Sequence, residues 1–438
     1  MDTMYFGVMG IVVSIIFLAF GMPVGVALIL GGVLGLLAIF QWSLPQVLMV
    51  LGSSPYFSSA SFELSVIPLF IVMGLFAMYS GSSKEAYQSA YKWFGRIPGS
   101  LGVATLFAAA MFGATCGASL AVAAIFTKVS LPEMLKRGYN KSIACGVITA
   151  GGCLGMLIPP STVAVIYGIL TGVSIGKLFL GGVGPGIMYT IVFSLSVISV
   201  ACFKKDFAPS ISEPVSWKEK LLSLKNFWPI FLMAVIVVGG IYFGIFTPTE
   251  AAALGALVSF FLFFTMGKFS WKQLKMALLE TAQTTAMIFM VLIGASIFAR
   301  MVCLSGLTAF VTEALAGSAF SPETILVFFL CLYIVMGMFL DSISMMCITL
   351  PIVYPLMNSF GFDPIWTATL IIISMEVGLL TPPMGLNVYV VKGAAEGAVT
   401  LEEVFRGALF FVPLFILGIV VLFIFPEIIT WLPSTMFQ

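Results

Sequence analysis

The sequence predicts an all-α polytopic membrane protein made of two inverted-topology repeats. Each repeat is expected to hold a re-entrant hairpin and a proline-broken transmembrane helix. Three observations predict this fold: an apolar composition, a gapless correspondence between the two halves, and a one-sided distribution of lysine and arginine. Of 438 residues, 61% are hydrophobic and 8% charged, and the mean hydropathy is +1.17. A soluble chain carries roughly a quarter charged residues. Too few charges are present to coat a water-facing surface, so the solvent must be lipid.

Apolar stretches able to span occur near 5–21, 23–40, 64–80, 142–172, 178–203, 228–246, 248–266, 276–304, 365–396 and 403–426. Two more, about 98–131 and 322–356, are interrupted at GATCGAS (113–119) and GMFLDS (337–342). These are read as hairpins that turn back within the membrane. The polar stretch 206–226 is read as a cytoplasmic linker between a first repeat, 1–205, and a second, 227–438. The first residues lack a basic segment, so the first apolar stretch reads as a span rather than a signal.

The repeat is visible at a fixed offset. Shifting by 223 places Pro132, Met134, Gly138, Gly155, Leu157, Pro159 and Pro160 on Pro355, Met357, Gly361, Gly378, Leu380, Pro382 and Pro383. Upstream, an offset of 225 puts Pro23 on Pro248 and Ser80-Gly81 on Ser305-Gly306. A gapless pattern ending in a proline pair marks an internal repeat.

Charge sets the orientation. With the N-terminus outside and both hairpins re-entrant, 17 of the 19 basic residues fall toward the cytoplasm. Only Lys177 is left outside, and Arg300 lies in a span. This obeys the positive-inside rule, places both termini outside and inverts one repeat relative to the other. Net charge of +1 gives no indication of nucleic-acid binding. Seven cysteines lie in or beside apolar runs without metal-ligand spacing and read as buried thiols. Histidine is absent, which removes the commonest general base.

The chemistry concentrates at GMLIPPS (155–161) and GLLTPPM (378–384). A proline removes its own N–H and frees the carbonyl four residues earlier. Pro159 and Pro160 thereby free Gly155 and Met156, and Pro382 and Pro383 free Gly378 and Leu379. Such groups are tolerated in a membrane only where protein, water or ligand satisfies them. Each break offers carbonyls to a hard cation such as Na⁺, and the half-helix starts near Thr162 and Gly385 offer N–H groups to an anion. Paired broken helices of this kind mark a secondary transporter; the plainer reading is a pair of structural kinks.

The hairpin tips face these breaks. Gly113, Gly117, Ala118 and Ser119 suit a tight turn or close helix packing, and Ser119 aligns with Ser342. Asn387 is a polar group inside an apolar helix, suited to a ligand or to an interhelical bond. Ser119, Thr162, Ser342, Gly385 and Asn387 are thus candidate substrate contacts. Glu250 in TPTEAA reads as a capping-box residue, with ion coupling as the alternative. Asp341, at the second tip, caps a half-helix or touches ligand. Glu376 precedes the second break, and an intramembrane carboxylate is functional by default unless Lys392 or Arg300 neutralises it.

The motifs TPTEAAALGA (247–256), AGGCLGMLIPPS (150–161), GVSIGKLFLGGVGPG (172–186), GMFLDS (337–342) and GLLTPPMGLN (378–387) together resemble those of the large membrane subunit of TRAP transporters. These are tripartite, ATP-independent systems that depend on a periplasmic binding protein. The resemblance covers essentially the whole chain. It implies Na⁺-coupled uptake of an organic acid across the bacterial inner membrane by an elevator mechanism, not enzymatic turnover. C4-dicarboxylates, sialic acids, sugar acids and amino-acid derivatives are the substrate classes it allows. Carried over by motif, one Na⁺ site is implied at Ser61, Ser119, Gly155, Ile158 and Ser161, and its partner at Gly337, Gly378, Thr381 and Met384. Glu376 departs from the family's asparagine. No fused helices precede Met1, so a separate small membrane subunit is expected, together with an extracytoplasmic substrate-binding protein. The rival readings are a stand-alone Na⁺/dicarboxylate carrier of the same ion-transporter superfamily, a channel, and an intramembrane enzyme.

Overall fold

The computed structural model describes residues 2–95, 97–203, 216–266 and 269–436. Arg96, Lys268 and residues 204–215, which include Lys204, Lys205 and the first part of the expected linker, lie outside these. The described residues form helices and turns, with no strand among them. Among the described residues, seven helices are long and apolar enough to cross a membrane, or eight if one bent pair is a single span. Apolar side chains at i, i+4 spacing face outward, for example Ile187, Ile191 and Leu195. Such a stripe suits lipid rather than water.

One group of helices packs through small residues. It comprises α1 (Asp2–Ala19), α2 (Val24–Ile39), α3 (Leu44–Ser59) and α4 (Val66–Tyr79), which follows a short 3₁₀ turn at Phe62–Ser65. An amphipathic helix, α5 (Ser82–Phe94), leads out of it. Lipid supplies no hydrophobic drive between helices, so close backbone approach replaces it. A Cβ at Gly31 would lie 2.7 Å from the Gly10 carbonyl. Helix α3 lies where no span was expected; Pro45 sits in its first turn, where proline is tolerated, and Pro55 lies within it.

A second group carries the hairpins. Helices α6 (Ser100–Cys116) and α7 (Ser119–Lys136) turn at Gly117, whose φ of +65° suits glycine. They run antiparallel, with Thr105 reaching the Met134 sulfur and Phe112 set edge-on to Phe126. Then follow α8 (Lys141–Leu157), α9 (Thr162–Thr171) and the long α10 (Ile175–Phe203). Part of the stretch taken as a linker is helical: α11 (Trp217–Leu224) is closed by a Ser216–Glu219 capping box. The expected span 228–246 is divided into α12 (Trp228–Ala234), a π turn (Val235–Gly239) and α13 (Gly240–Tyr242), bent by 46° from α11.

The second half follows with α14 to α22. Helix α14 (Pro248–Thr265) starts with Thr247 and Glu250 bonded reciprocally, the capping box expected there. Helix α15 (Trp271–Leu304) lies along α2, where a Cβ at Gly294 would meet the Gly25 carbonyl at 2.5 Å. Helix α16 (Leu307–Ala316) lies between α15 and the second hairpin. Helices α17 (Pro322–Gly337) and α18 (Ser342–Ser359) form the second hairpin, bridged by Tyr333 and Thr349 at 2.6 Å. The remainder is α19 (Pro364–Gly378), α20 (Leu386–Ala394), α21 (Leu401–Ile424) and α22 (Glu427–Ser434). Asn140 caps α8 and Asp363, at the 223 offset, caps α19, each accepting two backbone N–H bonds.

Candidate functional site

Each broken helix lies against a hairpin through glycine on glycine. A Cβ at Gly113 would sit 2.5 Å from the Gly155 Cα, and one at Gly337 would sit 2.8 Å from the Gly378 Cα. Any side chain would drive the pairs apart. Both breaks contain a cis proline pair, Pro159–Pro160 and Pro382–Pro383. The segment after each pair then bonds its hairpin tip. Thr162 donates its N–H and its hydroxyl to the Gly117 carbonyl at 3.1 and 2.9 Å. Met384 N–H donates to the Met338 carbonyl at 3.3 Å.

The two breaks differ in the carbonyls they free. At the first, Ile158 N–H bonds Leu154, and prolines at 159 and 160 leave Gly155 and Met156 without intrahelical donors. The second break is tighter than proline geometry suggested. Gly378 accepts Thr381 N–H at 3.0 Å and Leu379 accepts Asn387 N–H at 3.2 Å. Each of those oxygens keeps one lone pair. Thr381 bonds back to Val377 at 2.7 Å, and Met384 is half-exposed.

The helix starts are also displaced by one residue from expectation. Thr162 N–H is spent on Gly117, while Gly385, at φ +53°, sits outside α20 as its cap. The next residues, Val163 and Leu386, are equivalent at the 223 offset. Among the described residues neither backbone N–H has an acceptor, and both residues line one cavity of about 730 Å³. The hairpin tips, through Ser119, Asp341 and Ser342, line it too. Its opposite walls come from α4, α15 and the start of α2 and are apolar but for Glu280 and Thr284 of α15. Unsatisfied N–H groups at two helix starts are an anion-binding arrangement.

Ser161 caps α9 by accepting Ala164 N–H at 3.3 Å, and Ile158 packs on Gly186. Asp341 does the capping that the sequence allowed, taking N–H bonds from Ile343 and Ser344 and the Ser344 hydroxyl. Ser61 is placed apart from the others. It is exposed and lines a second cavity with Leu170, Pro351 and Tyr354.

The deepest polar cluster lies between the tips. Glu376 is fully buried, and its Oε1 accepts Ser119 and Ser342 hydroxyls at 3.4 and 3.5 Å, one from each hairpin. Lys392 does not neutralise it, since its Nζ donates to the Val399 carbonyl. Asn387 is equally buried and donates to the Cys153 sulfur at 3.3 Å. The sequence reading passed over Cys153, Val163 and Leu386. The same 223 offset pairs Cys153 with Glu376 and Val163 with Leu386, and that signal pointed to all three.

This architecture recurs in solved structures. The Alcanivorax borkumensis YdaH transporter superposes with a TM-score of 0.61 at 14% identity, covering 86% of this chain and 88% of that one. Neisseria gonorrhoeae MtrF gives 0.56 at 12% identity, covering 88% and 84%. Closer likeness is found in sequence. The C4-dicarboxylate TRAP transporter large permease protein DctM of Vibrio cholerae is 32% identical, with 94% of each chain covered. The sialic acid TRAP transporter permease protein SiaT of Haemophilus influenzae is 30% identical over 97% of this chain and 68% of its own length. The family profile for the DctM component of tripartite ATP-independent periplasmic transporters matches residues 11–428. With that match spanning nearly its whole length, this multi-pass membrane chain belongs to the DctM family of TRAP transporter large permeases, and is a transporter subunit rather than an enzyme.

Proposed function

We propose that the chain imports an organic acid, coupled to Na⁺, across the bacterial inner membrane. The observation that carries this reading is the pair of acceptor-free N–H groups, Val163 and Leu386, at the rim of one cavity between the hairpin tips. A carboxylate is the ligand such helix starts favour. The relatives' substrates, C4-dicarboxylate and sialic acid, are carboxylates by name. The chemistry of the oxygens around the breaks suits Na⁺. Ser119, Gly155, Met156 and Ser161 at the first break are hydroxyls and carbonyls, the hard donors that such an ion takes. At the second, Gly378 and Leu379 would contribute their remaining lone pairs, with Gly337, Thr381 and Met384 nearby.

Movement follows an elevator scheme in this reading. The body formed by hairpins and broken helices would slide against α1, α2, α4, α14 and α15, across the mostly apolar walls of the cavity. The two halves act as inverted repeats, so that equivalent tips open on opposite sides. Both termini lie outside. A small membrane subunit would complete the fixed body, and an extracytoplasmic binding protein would deliver the substrate. The test is uptake of labelled succinate and sialic acid into proteoliposomes holding both membrane subunits, with and without binding protein, in Na⁺ or choline. Uptake that needs Na⁺ and the binding protein supports the reading. Uptake by this chain alone points to a stand-alone carrier, and Na⁺-independent flux to a channel.

A further inference from the structure

We propose that the cleft between α5 and α7 is a phosphate site, taking the headgroup of an anionic phospholipid. The site depends neither on the import reading nor on the orientation of the chain. Its walls are two helix faces. On α5, Lys84, Tyr87, Gln88 and Tyr91 recur at i, i+3, i+4 and i+7 and so share one side. On α7, Lys128, Val129 and Glu133 form the facing side, and Arg137 stands at the end of that helix. Together they enclose a cavity of about 420 Å³, separate from the one between the hairpin tips.

The charges in this cleft do not cancel. Three cations line it against one carboxylate, Glu133. Lys84 and Lys128 are both exposed, and among the described residues neither is in a salt bridge. Arg137 is half-buried, its guanidinium 5.4 Å from the centre of the Tyr91 ring, which holds the cation at the mouth of the cleft. Beneath these groups Tyr87 is 4% exposed, and its hydroxyl has no hydrogen-bond partner among the described residues. A buried tyrosine hydroxyl ordinarily has one. An anion seated here gives the lysines a counter-charge and brings an acceptor to Tyr87.

A phosphate suits the cleft better than a carboxylate, and a headgroup better than a free ion. Tetrahedral oxygens meet cations arriving from two helices, together with the planar donor fork of Arg137, at the same time. A free phosphate would fill only a small part of the cavity. Leu101 and Val129 add apolar surface to it, suited to the glycerol and first methylenes of a lipid. Helix α5 follows directly on the span α4 and is tied to α11, the Ser89 hydroxyl donating to the Ser223 carbonyl at 3.0 Å. Basic pockets beside the ends of spans are where acidic headgroups bind. A phosphate held there links α5 to the second arm of the first hairpin.

The experiment titrates the purified chain in detergent with dioleoylphosphatidylglycerol, dioleoylphosphatidylethanolamine or sodium phosphate and follows the melting midpoint. Phosphatidylglycerol should raise the midpoint. The double variant Lys84→Gln/Lys128→Gln should need about 25-fold more of it for the same rise, the loss expected for two lysines near a headgroup. Both replaced residues are exposed, and melting without lipid confirms that the variant folds. Lys272→Gln/Lys275→Gln removes the same charge from the exposed start of α15 and should titrate like the wild type. Phosphatidylethanolamine as effective as phosphatidylglycerol, an unchanged titration in the first variant, or an equal loss in the second overturns the proposal. Sodium phosphate that reproduces the rise, with the same dependence on Lys84 and Lys128, supports the phosphate site and overturns its assignment to lipid.

Discussion

Cys153 of α8 and Glu376 of α19 are 223 positions apart and meet in the middle of the molecule, the sulfur 4.0 Å from the Glu376 carbonyl. That offset is the one relating the two halves of the sequence. Each residue is therefore the other's counterpart, and their contact lies where the two halves face each other. A symmetric pair would be two thiols or two carboxylates. Two buried carboxylates would repel and two thiols would leave the hairpin serines without their acceptor.

This arrangement predicts the outcome of an exchange. Cys153→Glu puts a second carboxylate into the cluster and should destabilise by about 3–5 kcal/mol, the scale for an uncompensated buried charge. Adding Glu376→Cys restores one acid, one thiol and the original total volume, so the double variant should recover most of the loss. Thermal melting of the three purified proteins measures this. A double variant no more stable than Cys153→Glu alone would show that the two positions are not interchangeable.

Glycine contact at the second break gives a sharper test of packing. A Cβ at Gly378 would lie 2.5 Å from the Gly337 Cα and 2.6 Å from the Ile334 carbonyl, both backbone. Gly378→Ala should therefore cost about 1–3 kcal/mol, the range for overpacking. Gly393 has nothing within 4 Å of its Cβ position, and Gly393→Ala should melt like the wild type. Equal melting of the two variants would mean that α17 and α19 are not held at that distance.

Much of this fold could be read from residue type alone, because its breaks are set by chemistry that acts locally. Proline pairs stop α8 and α19 wherever they occur, and Gly117 allows the first hairpin turn by its positive φ. Threonine, proline and glutamate at 247–250 form their capping box from neighbours in sequence. What escaped was what depends on partners brought from far away. Thr162 looked like a free helix start until Gly117, 45 residues away, took its N–H. Glu376 could be flagged as an intramembrane carboxylate, yet nothing local said that both hairpin serines would reach it. Helix α11 was hidden for another reason: its charged, short sequence reads as a loop, and its helicity rests on the Ser216–Glu219 cap.

The caps separate structural from coupling carboxylates. Glu250 bonds Thr247 N–H at 2.8 Å and its hydroxyl at 2.9 Å, all at the exposed start of α14. Thr247→Ala should lower stability by about 1 kcal/mol, as for other N-caps, with the Na⁺ dependence of uptake unaltered. A change in Na⁺ dependence without a change in melting would reassign Glu250 to coupling.

Sodium dependence tests the two breaks as a pair. Ser119→Ala and Thr381→Ala each remove one hydroxyl, worth about 1 kcal/mol for a typical bond, which corresponds to roughly fivefold in the Na⁺ concentration for half-maximal uptake. Ser119 also loses its bond to Glu376, so its variant should show the larger effect, whereas the Thr381 hydroxyl is already engaged with Val377. Wild-type Na⁺ dependence in both variants would remove Na⁺ from these positions.

Orientation can be tested independently of transport. With both termini outside, the segment 305–321 faces outward and 204–226 faces the cytoplasm, which carries nearly all the lysine and arginine. Helix α16 makes part of 305–321 ordered, but its Phe310 is half-exposed and accepts replacement by cysteine without disturbing a core. Single cysteines at Phe310 and at Lys218, in a background freed of the seven native thiols, should react differently with a membrane-impermeant maleimide added to whole cells. Phe310→Cys should label at once, and Lys218→Cys only after the membrane is opened. The opposite order would invert the chain in the membrane and turn the first hairpin, rather than the second, toward the side from which substrate arrives.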